Sequence, residues 1–181
     1  ISSPLGTHLS EIVIPFTRHP NYFLPEQPIS FPRVLHIPSN FRTKGIGSDW
    51  LYLKIYVPER SQNDFILNSL FGLTDFLIKE QMISQWFFVR YHDKEEGAHL
   101  RVRFQGKENV IWASGIPVIR DWAADLFEKR FICNLDLGTY EREIERYGGE
   151  KLIEAVEKFF WGDTLTTIEL LKMLNRKENK L

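Results

Sequence analysis

The chain has 181 residues, of which 43% are hydrophobic and 14% aromatic, which is enough apolar material for the core of one ordinary domain. Its formal net charge of -1 argues against a basic nucleic-acid-binding surface, and its single cysteine excludes an intrachain disulfide framework. The sequence has no apolar run of the roughly 18 residues that a membrane-spanning helix needs. We therefore expect a domain without a membrane span, in a reducing compartment such as the cytoplasm.

Residues 1–49 are predicted to form a proline-rich arm rather than a regular domain. Seven of the nine prolines fall in this stretch, and each proline fixes φ and removes a backbone donor. Gly45 and Gly47 lie at its end and are typical of a linker. We expect the arm to be the end of a preceding domain, or the linker from it.

The stretch after the arm alternates between strand-like and helix-like patterns of apolar residues. We predict strands over residues 51–57, 84–91, 98–105 and 131–137, and helices over 62–82 and 107–130, the second interrupted near Gly115. The order β-α-β-β-α-β indicates an α+β fold with an antiparallel sheet of the ferredoxin-like, split βαβ type. Both helices of such a fold pack on the same face of the sheet.

The two faces of this sheet are predicted to differ sharply in chemistry. Successive side chains of a strand point to opposite faces, so Leu100 and Val102 face the helices while Arg101 and Arg103 face away from them. Two neighbouring arginines repel each other and need carboxylates. Those carboxylates belong either to the protein, as a structural ion-pair network, or to a ligand.

The residues after Gly138 are predicted to add helices to the C-terminal side of the sheet. Residues 139–147 are rich in Glu and Arg and look like an exposed helical turn, in which Arg142 pairs with Glu145 and Glu143 with Arg146. Two more helices are predicted, over 150–161 and 165–176, the second capped by Asp163 or Thr164. No cluster has the spacing of a zinc site, and no phosphate loop or nucleophile elbow is present, so no metal is expected.

Several stretches along the chain, in order and with consistent spacing, resemble one family. They are Trp50…Lys54-Ile55-Tyr56, Trp86 to Tyr91, His99 to Phe104, Tyr140 to Glu143, Arg146 to Gly149, and Glu157…Phe160…Asp163-Thr164. Together they resemble the C-terminal elimination domain of class I lanthipeptide (lantibiotic) dehydratases of the nisin and subtilin type. Related domains occur in thiopeptide biosynthesis.

The resemblance implies a carbon–oxygen lyase that acts in lantibiotic biosynthesis. Such a domain removes glutamate from glutamylated Ser and Thr side chains of a precursor peptide and leaves dehydroalanine or dehydrobutyrine. No cofactor is expected in this domain, because glutamyl-tRNA serves a separate glutamylation domain. The implied partners are the glutamylated precursor peptide and the cyclase and transporter of the same pathway, without direct contact to nucleic acid. The implied location is cytoplasmic, with peripheral membrane association through that complex.

The resemblance also implies roles for five residues. Arg101, Arg103 and Arg146 correspond to catalytic arginines, and Lys54 and His99 are expected to bind substrate. The family carries a further catalytic histidine near its C-terminus, whereas this sequence has no histidine after His99. We therefore expect the elimination-type domain, residues 50–181, to be truncated at its C-terminus, to bind glutamylated peptide and to turn it over little.

Three other functions remain open from the sequence. The first is a thiopeptide-type enzyme, either an eliminase or a pyridine-forming enzyme. The second is a module that binds the precursor peptide without catalysis. The third is a structural domain whose arginines pair with Glu141, Glu143 or Asp136.

Overall fold

The structure is a computed structural model that describes residues 2–3, 6–7 and 37–178. Residues 2–3, 6–7 and 177–178 are described by their backbone alone. The chain divides into two compact units, residues 1–35 and 36–181. In the first unit, β1 (Ser2–Ser3) pairs antiparallel with β2 (Gly6–Thr7). The rest of the predicted arm up to residue 36 lies outside the described residues.

The second unit is built on an antiparallel sheet of four strands. The strands are β4 (Trp50–Tyr56), β5 (Gln85–Asp93), β6 (Gly97–Gln105) and β7 (Asn134–Gly138), in the order β5-β6-β4-β7. The prediction of four strands in an antiparallel sheet is confirmed. The predicted start of the last strand was wrong by three residues, because Phe131 closes the end of the preceding helix with a bond to the Leu126 carbonyl.

Two helical segments cover one face of this sheet. The first contains α2 (Gln62–Phe65), a π-helical segment (Ile66–Leu70) and α3 (Phe71–Lys79), after a short 3-10 turn at Glu59–Ser61. The second contains α4 (Glu108–Val110), a π-helical segment (Ile111–Gly115) and α5 (Ile116–Glu128). The predicted interruption near Gly115 is therefore a change of helical pitch.

The core lies between the sheet and these helices. Ile55, Leu100 and Val102 of the sheet are fully buried, as are Ile66 and Leu77 of the first helical segment. The predicted assignment of the two sheet faces is thereby confirmed. A register slip by one residue would have reversed every side chain of a strand, so the apolar alternation fixed which side carries the arginines.

The last helix, α6, runs without a break from Glu150 to Glu178. The prediction of two helices with a cap at Asp163 or Thr164 was wrong. Thr164 is buried in mid-helix, where its Oγ1 accepts a hydrogen bond from the Phe88 backbone N–H at 3.3 Å. The helix thus covers the outer edge of β5, which would otherwise present unpaired backbone groups. Across the described residues, every helix is too short or too polar to cross a membrane.

Residues before the sheet also belong to the second unit. α1 (Ser39–Arg42) leads into β3 (Thr43–Lys44), which pairs antiparallel with β8 (Tyr140–Glu141). The Trp112 side chain donates a hydrogen bond to the Ser48 carbonyl at 2.6 Å. The last part of the predicted linker is therefore packed against the rest of the unit.

Candidate functional site

A cavity of about 320 Å³ opens on the sheet face opposite the helices, and we call it the arginine cavity. Its floor comes from β5 and β6, and its walls come from the segment after β8 and from α6. The lining residues are Phe87, Val89, Tyr91, Arg101, Arg103, Tyr140, Glu141, Glu143, Arg146, Tyr147 and Phe160. The cavity therefore combines cationic and aromatic side chains in one place.

Arg103 lies in a cage of aromatic rings. Its guanidinium carbon is 4.7 Å from the ring centres of Tyr52 and Tyr140 and 5.3 Å from that of Phe87. Its Nε is buried and has no hydrogen-bond partner among the residues that the structure describes, and burial lowers the pKa of Arg103. Within the described residues Arg103 forms no salt bridge. Cation–π contacts stabilise the guanidinium charge but do not use its N–H donors. The group is therefore suited to bind an anion.

Arg101 is held by its neighbour two residues earlier on the same strand face. Its Nε donates a hydrogen bond to His99 Nε2 at 3.2 Å, and its guanidinium lies 3.4 Å from the ring centre of Tyr91. An arginine nitrogen can only donate, so His99 Nε2 is an acceptor and the other ring nitrogen donates to the Gly97 carbonyl at 3.1 Å. Arg101 forms no salt bridge with any described residue, which leaves its terminal nitrogens available.

Arg146 completes the rim of the cavity. Its side chain is 70% exposed, and Nη1 donates to Glu143 Oε2 at 2.8 Å. This bond raises the pKa of Arg146, and it confirms the predicted Glu143–Arg146 pair. The structure thus brings Arg101, Arg103 and Arg146 to one cavity although the third lies far along the chain. Their catalytic roles remain predictions.

The two predicted substrate-binding residues lie beside the cavity and not in its lining. Lys54 Nζ is 2.9 and 2.8 Å from the two carboxylate oxygens of Glu96. His99 is 0% exposed, and its ring lies between those of Tyr56 and Tyr91, tilted by 39° and 46°. Burial raises the pKa of Tyr56 to about 12, and the negative charge of Asp136 adds to the rise. Direct substrate binding by Lys54 and His99 stays a prediction, and the observed contact of His99 is with Arg101.

A buried ion pair behind the cavity was missed from the sequence. Arg142 bonds to Glu157 of α6, with Nε to Oε1 at 2.8 Å and Nη2 to Oε2 at 2.8 Å. The predicted Arg142–Glu145 pair is wrong, because Glu145 pairs with Arg42 instead. Residues 140–143 do not form the predicted helical turn, and a turn begins only at residue 144. Its side chains alternate, with Tyr140, Arg142 and Ile144 buried and the glutamates between them exposed.

We expect the substitution Gly138→Ala to disturb the cage around Arg103. Gly138 lies opposite Tyr52 in the sheet, and a Cβ at this position would come within 2.9 Å of two Tyr52 ring carbons. Overpacking of this kind costs about 1–3 kcal/mol, measurable as a loss in the free energy of unfolding in urea. Gly162→Ala in α6 is the control, because no described atom beyond its chain neighbours and the local helix backbone lies within 4 Å of its new Cβ. An equally stable Gly138→Ala protein would contradict this account.

Comparison with known families assigns most of the chain. The family model for the lantibiotic biosynthesis dehydratase C-term matches residues 50–181. The subtilin biosynthesis protein SpaB of Bacillus subtilis is 34% identical over 172 residues, which cover 93% of this chain and 16% of that protein. The nisin biosynthesis protein NisB of Lactococcus lactis subsp. lactis is 27% identical over 177 residues, or 94% of this chain and 16% of that protein. The chain thus spans about one sixth of these relatives.

Solved structures agree with the sequence relatives. The tRNA dependent lantibiotic dehydratase MibB from Microbispora sp. 107891 matches with a TM-score of 0.68 and 38% identity, over 73% of this chain and 12% of that one. TsrL matches with a TM-score of 0.53 and 19% identity, over 68% of this chain and 35% of that one, which shows a shared fold alone. The chain therefore belongs to the family of C-terminal domains of lantibiotic biosynthesis dehydratases.

Proposed function

We propose that this domain eliminates glutamate from glutamylated Ser and Thr residues of a precursor peptide, as a carbon–oxygen lyase. One observation carries the proposal. Arg101 and Arg103 lie side by side on a cavity floor, and neither forms a salt bridge with any described residue. The alternative in which these two arginines pair with Glu141, Glu143 or Asp136 finds no support in the observed contacts. A ligand carboxylate is the natural partner for such a pair.

The chemistry of the reaction matches this arrangement. Glutamate from glutamyl-tRNA forms an ester through its α-carboxyl group, so the ester retains one carboxylate on the glutamyl side chain. Elimination transfers the Cα proton of the esterified residue to a general base, forms the Cα=Cβ double bond and breaks the Cβ–O bond. Glutamate then leaves as a second carboxylate. The charge that grows on this leaving group needs preorganised donors in a site shielded from water.

In our proposal the three arginines bind different parts of the departing glutamate. Arg103, which is half-buried among three aromatic rings, stabilises the departing carboxylate. Arg101, which is fixed through Nε by His99, offers its terminal nitrogens to the same group. Arg146 is exposed at the rim and binds the glutamyl side chain by exchange of its bond to Glu143.

We also infer a ferredoxin-like, split βαβ topology, which the strand order β5-β6-β4-β7 supports.

The experiment supplies the proposed substrate directly. A precursor peptide with one chemically installed glutamyl ester on Ser is incubated with the complete enzyme that contains this domain, because residues 50–181 alone, which have no histidine after His99, are expected to bind the ester and turn it over little. Mass spectrometry should show loss of glutamate and formation of dehydroalanine. The matched control is the glutaminyl ester, which lacks the side-chain carboxylate and should react more slowly. Binding of the glutamyl ester without elimination would overturn the lyase assignment and leave a peptide-binding module. Neither binding nor elimination would reject both functions.

A further inference from the structure

Three side chains form a closed network behind the arginine cavity. Arg142 is 2% exposed and Glu157 is 0% exposed, and they meet through two parallel hydrogen bonds of 2.8 Å. The Tyr140 hydroxyl donates a third bond to Glu157 Oε1 at 3.1 Å. Arg142 Nη1 also donates to the Phe41 carbonyl at 3.4 Å. Every polar group of the Glu157 carboxylate is thus satisfied from within the fold.

Burying two charged side chains in a core has a large desolvation free energy. Removing two charges from water carries a penalty that their attraction often does not repay, and apolar side chains of similar volume stabilise a core at least as well. Burial raises the pKa of Glu157, and the hydrogen bond from Arg142 opposes that rise. The presence of this pair beside the cavity therefore suggests a role other than stability.

Tyr140 connects the network to the cavity. Its ring centre lies 4.7 Å from the Arg103 guanidinium carbon, and the rings of Trp50 and Phe87 pack against it at 5.3 and 6.2 Å. Burial and the neighbouring Glu157 both raise the pKa of Tyr140, so its hydroxyl remains a donor. A phenol that donates to a carboxylate is richer in electrons on its ring face. That face is the one that attracts a guanidinium.

We propose that Glu157 and Arg142 are positioning residues, which hold Tyr140 against Arg103 and strengthen the attraction of its ring for that guanidinium. The geometry gives Arg103 one fixed orientation toward the leaving group, although its Nε has no hydrogen-bond partner within the described residues. The network acts through Tyr140 and touches no substrate itself. This inference rests on the proposed elimination function, and its test separates the two.

The first test is Tyr140→Phe, assayed on the glutamylated peptide. The variant keeps the ring and loses its bond to Glu157, so kcat should fall about threefold to tenfold while KM stays within about twofold. Replacement of Tyr140 with a monofluorinated tyrosine keeps the bond but withdraws electrons from the ring. It should also lower kcat, with an unchanged melting temperature, which a purely structural role would not produce.

The second test is Glu157→Gln, which should lower kcat by about tenfold or more. The matched control is Glu154→Gln on the exposed side of the same helix, which changes the same charge and should leave kcat unaltered. Wild-type kcat in the Tyr140 variants would overturn the inference, as would a fall in melting temperature alone. Arg103→Ala separates the outcomes. If the wild type itself does not eliminate glutamate, the proposed function fails. If Arg103→Ala is blocked while the Tyr140 and Glu157 variants keep the wild-type kcat, only the inference fails.

Discussion

In the complete enzyme, Arg103→Ala is expected to lower the rate of glutamate elimination about 10²–10³-fold and to leave glutamylation of the precursor intact. The arginine acts on the leaving carboxylate in our proposal, whereas ester formation belongs to a separate site. Glutamylated precursor should therefore accumulate, which mass spectrometry would detect as added glutamyl units without loss of water. Arg101→Ala should give the same pattern, because the two guanidiniums share the cavity floor.

A lysine variant and a control at a distant arginine test whether elimination requires the guanidinium groups of the cavity. Lysine in place of Arg103 should restore activity only in part, since a single ammonium cannot reproduce the planar, bidentate fork. Arg120→Ala is the control, because Arg120 is exposed and pairs with Asp121 away from the cavity. Normal dehydration by both alanine variants would mean that Arg101 and Arg103 serve the fold. An unmodified precursor would mean that they serve the first step.

The sheet and its two faces could be predicted from the sequence because the signal is local. Leu100 and Val102 alternate with Arg101 and Arg103 within one strand, and the period of two leaves only one choice once the apolar side is buried. The same pattern indicated that the arginines face away from the helices. It could not show that Tyr52, Phe87 and Tyr140 surround Arg103, because these rings come from three different strands.

The buried ion pair could not be predicted by the rules that were applied to it. Pair rules for helices favour neighbours three or four positions apart, so they assigned Arg142 to Glu145. The true partner, Glu157, is 15 residues away and is brought into place by α6. A usable signal was present, because the alternation through Tyr140, Arg142 and Ile144 has the period of a strand and not that of a helix.

The break predicted in α6 failed for a related reason. Asp163 and Thr164 are residues that often cap helices, and their local preference favoured a helix start. Tertiary contacts override that preference here, since Thr164 satisfies its hydroxyl with the edge of β5. Local propensity is a weak guide wherever a polar side chain finds a partner on another element.

Arg142→Ala is expected to reduce the free energy of unfolding by about 3–5 kcal/mol, because it leaves the Glu157 carboxylate buried without its partner. Urea unfolding measures the loss. The double variant Arg142→Met with Glu157→Leu should be far more stable than Arg142→Ala, since it removes both charges and fills the space. Arg146→Ala, which breaks an exposed pair, should change stability little and serves as the control.

The pH dependence of Arg142→Ala gives the sharpest check on this explanation. Without Arg142, the effect of burial on Glu157 loses its main opposing interaction, so the folded-state pKa of Glu157 should rise further above its unfolded value. A carboxyl group whose pKa is raised by folding binds its proton more tightly in the native state. The stability of the variant should therefore increase as the pH falls through that raised pKa, and its deficit relative to the wild type should shrink. A deficit that stays constant with pH would mean that lost packing, and not an unpaired buried charge, causes the destabilisation.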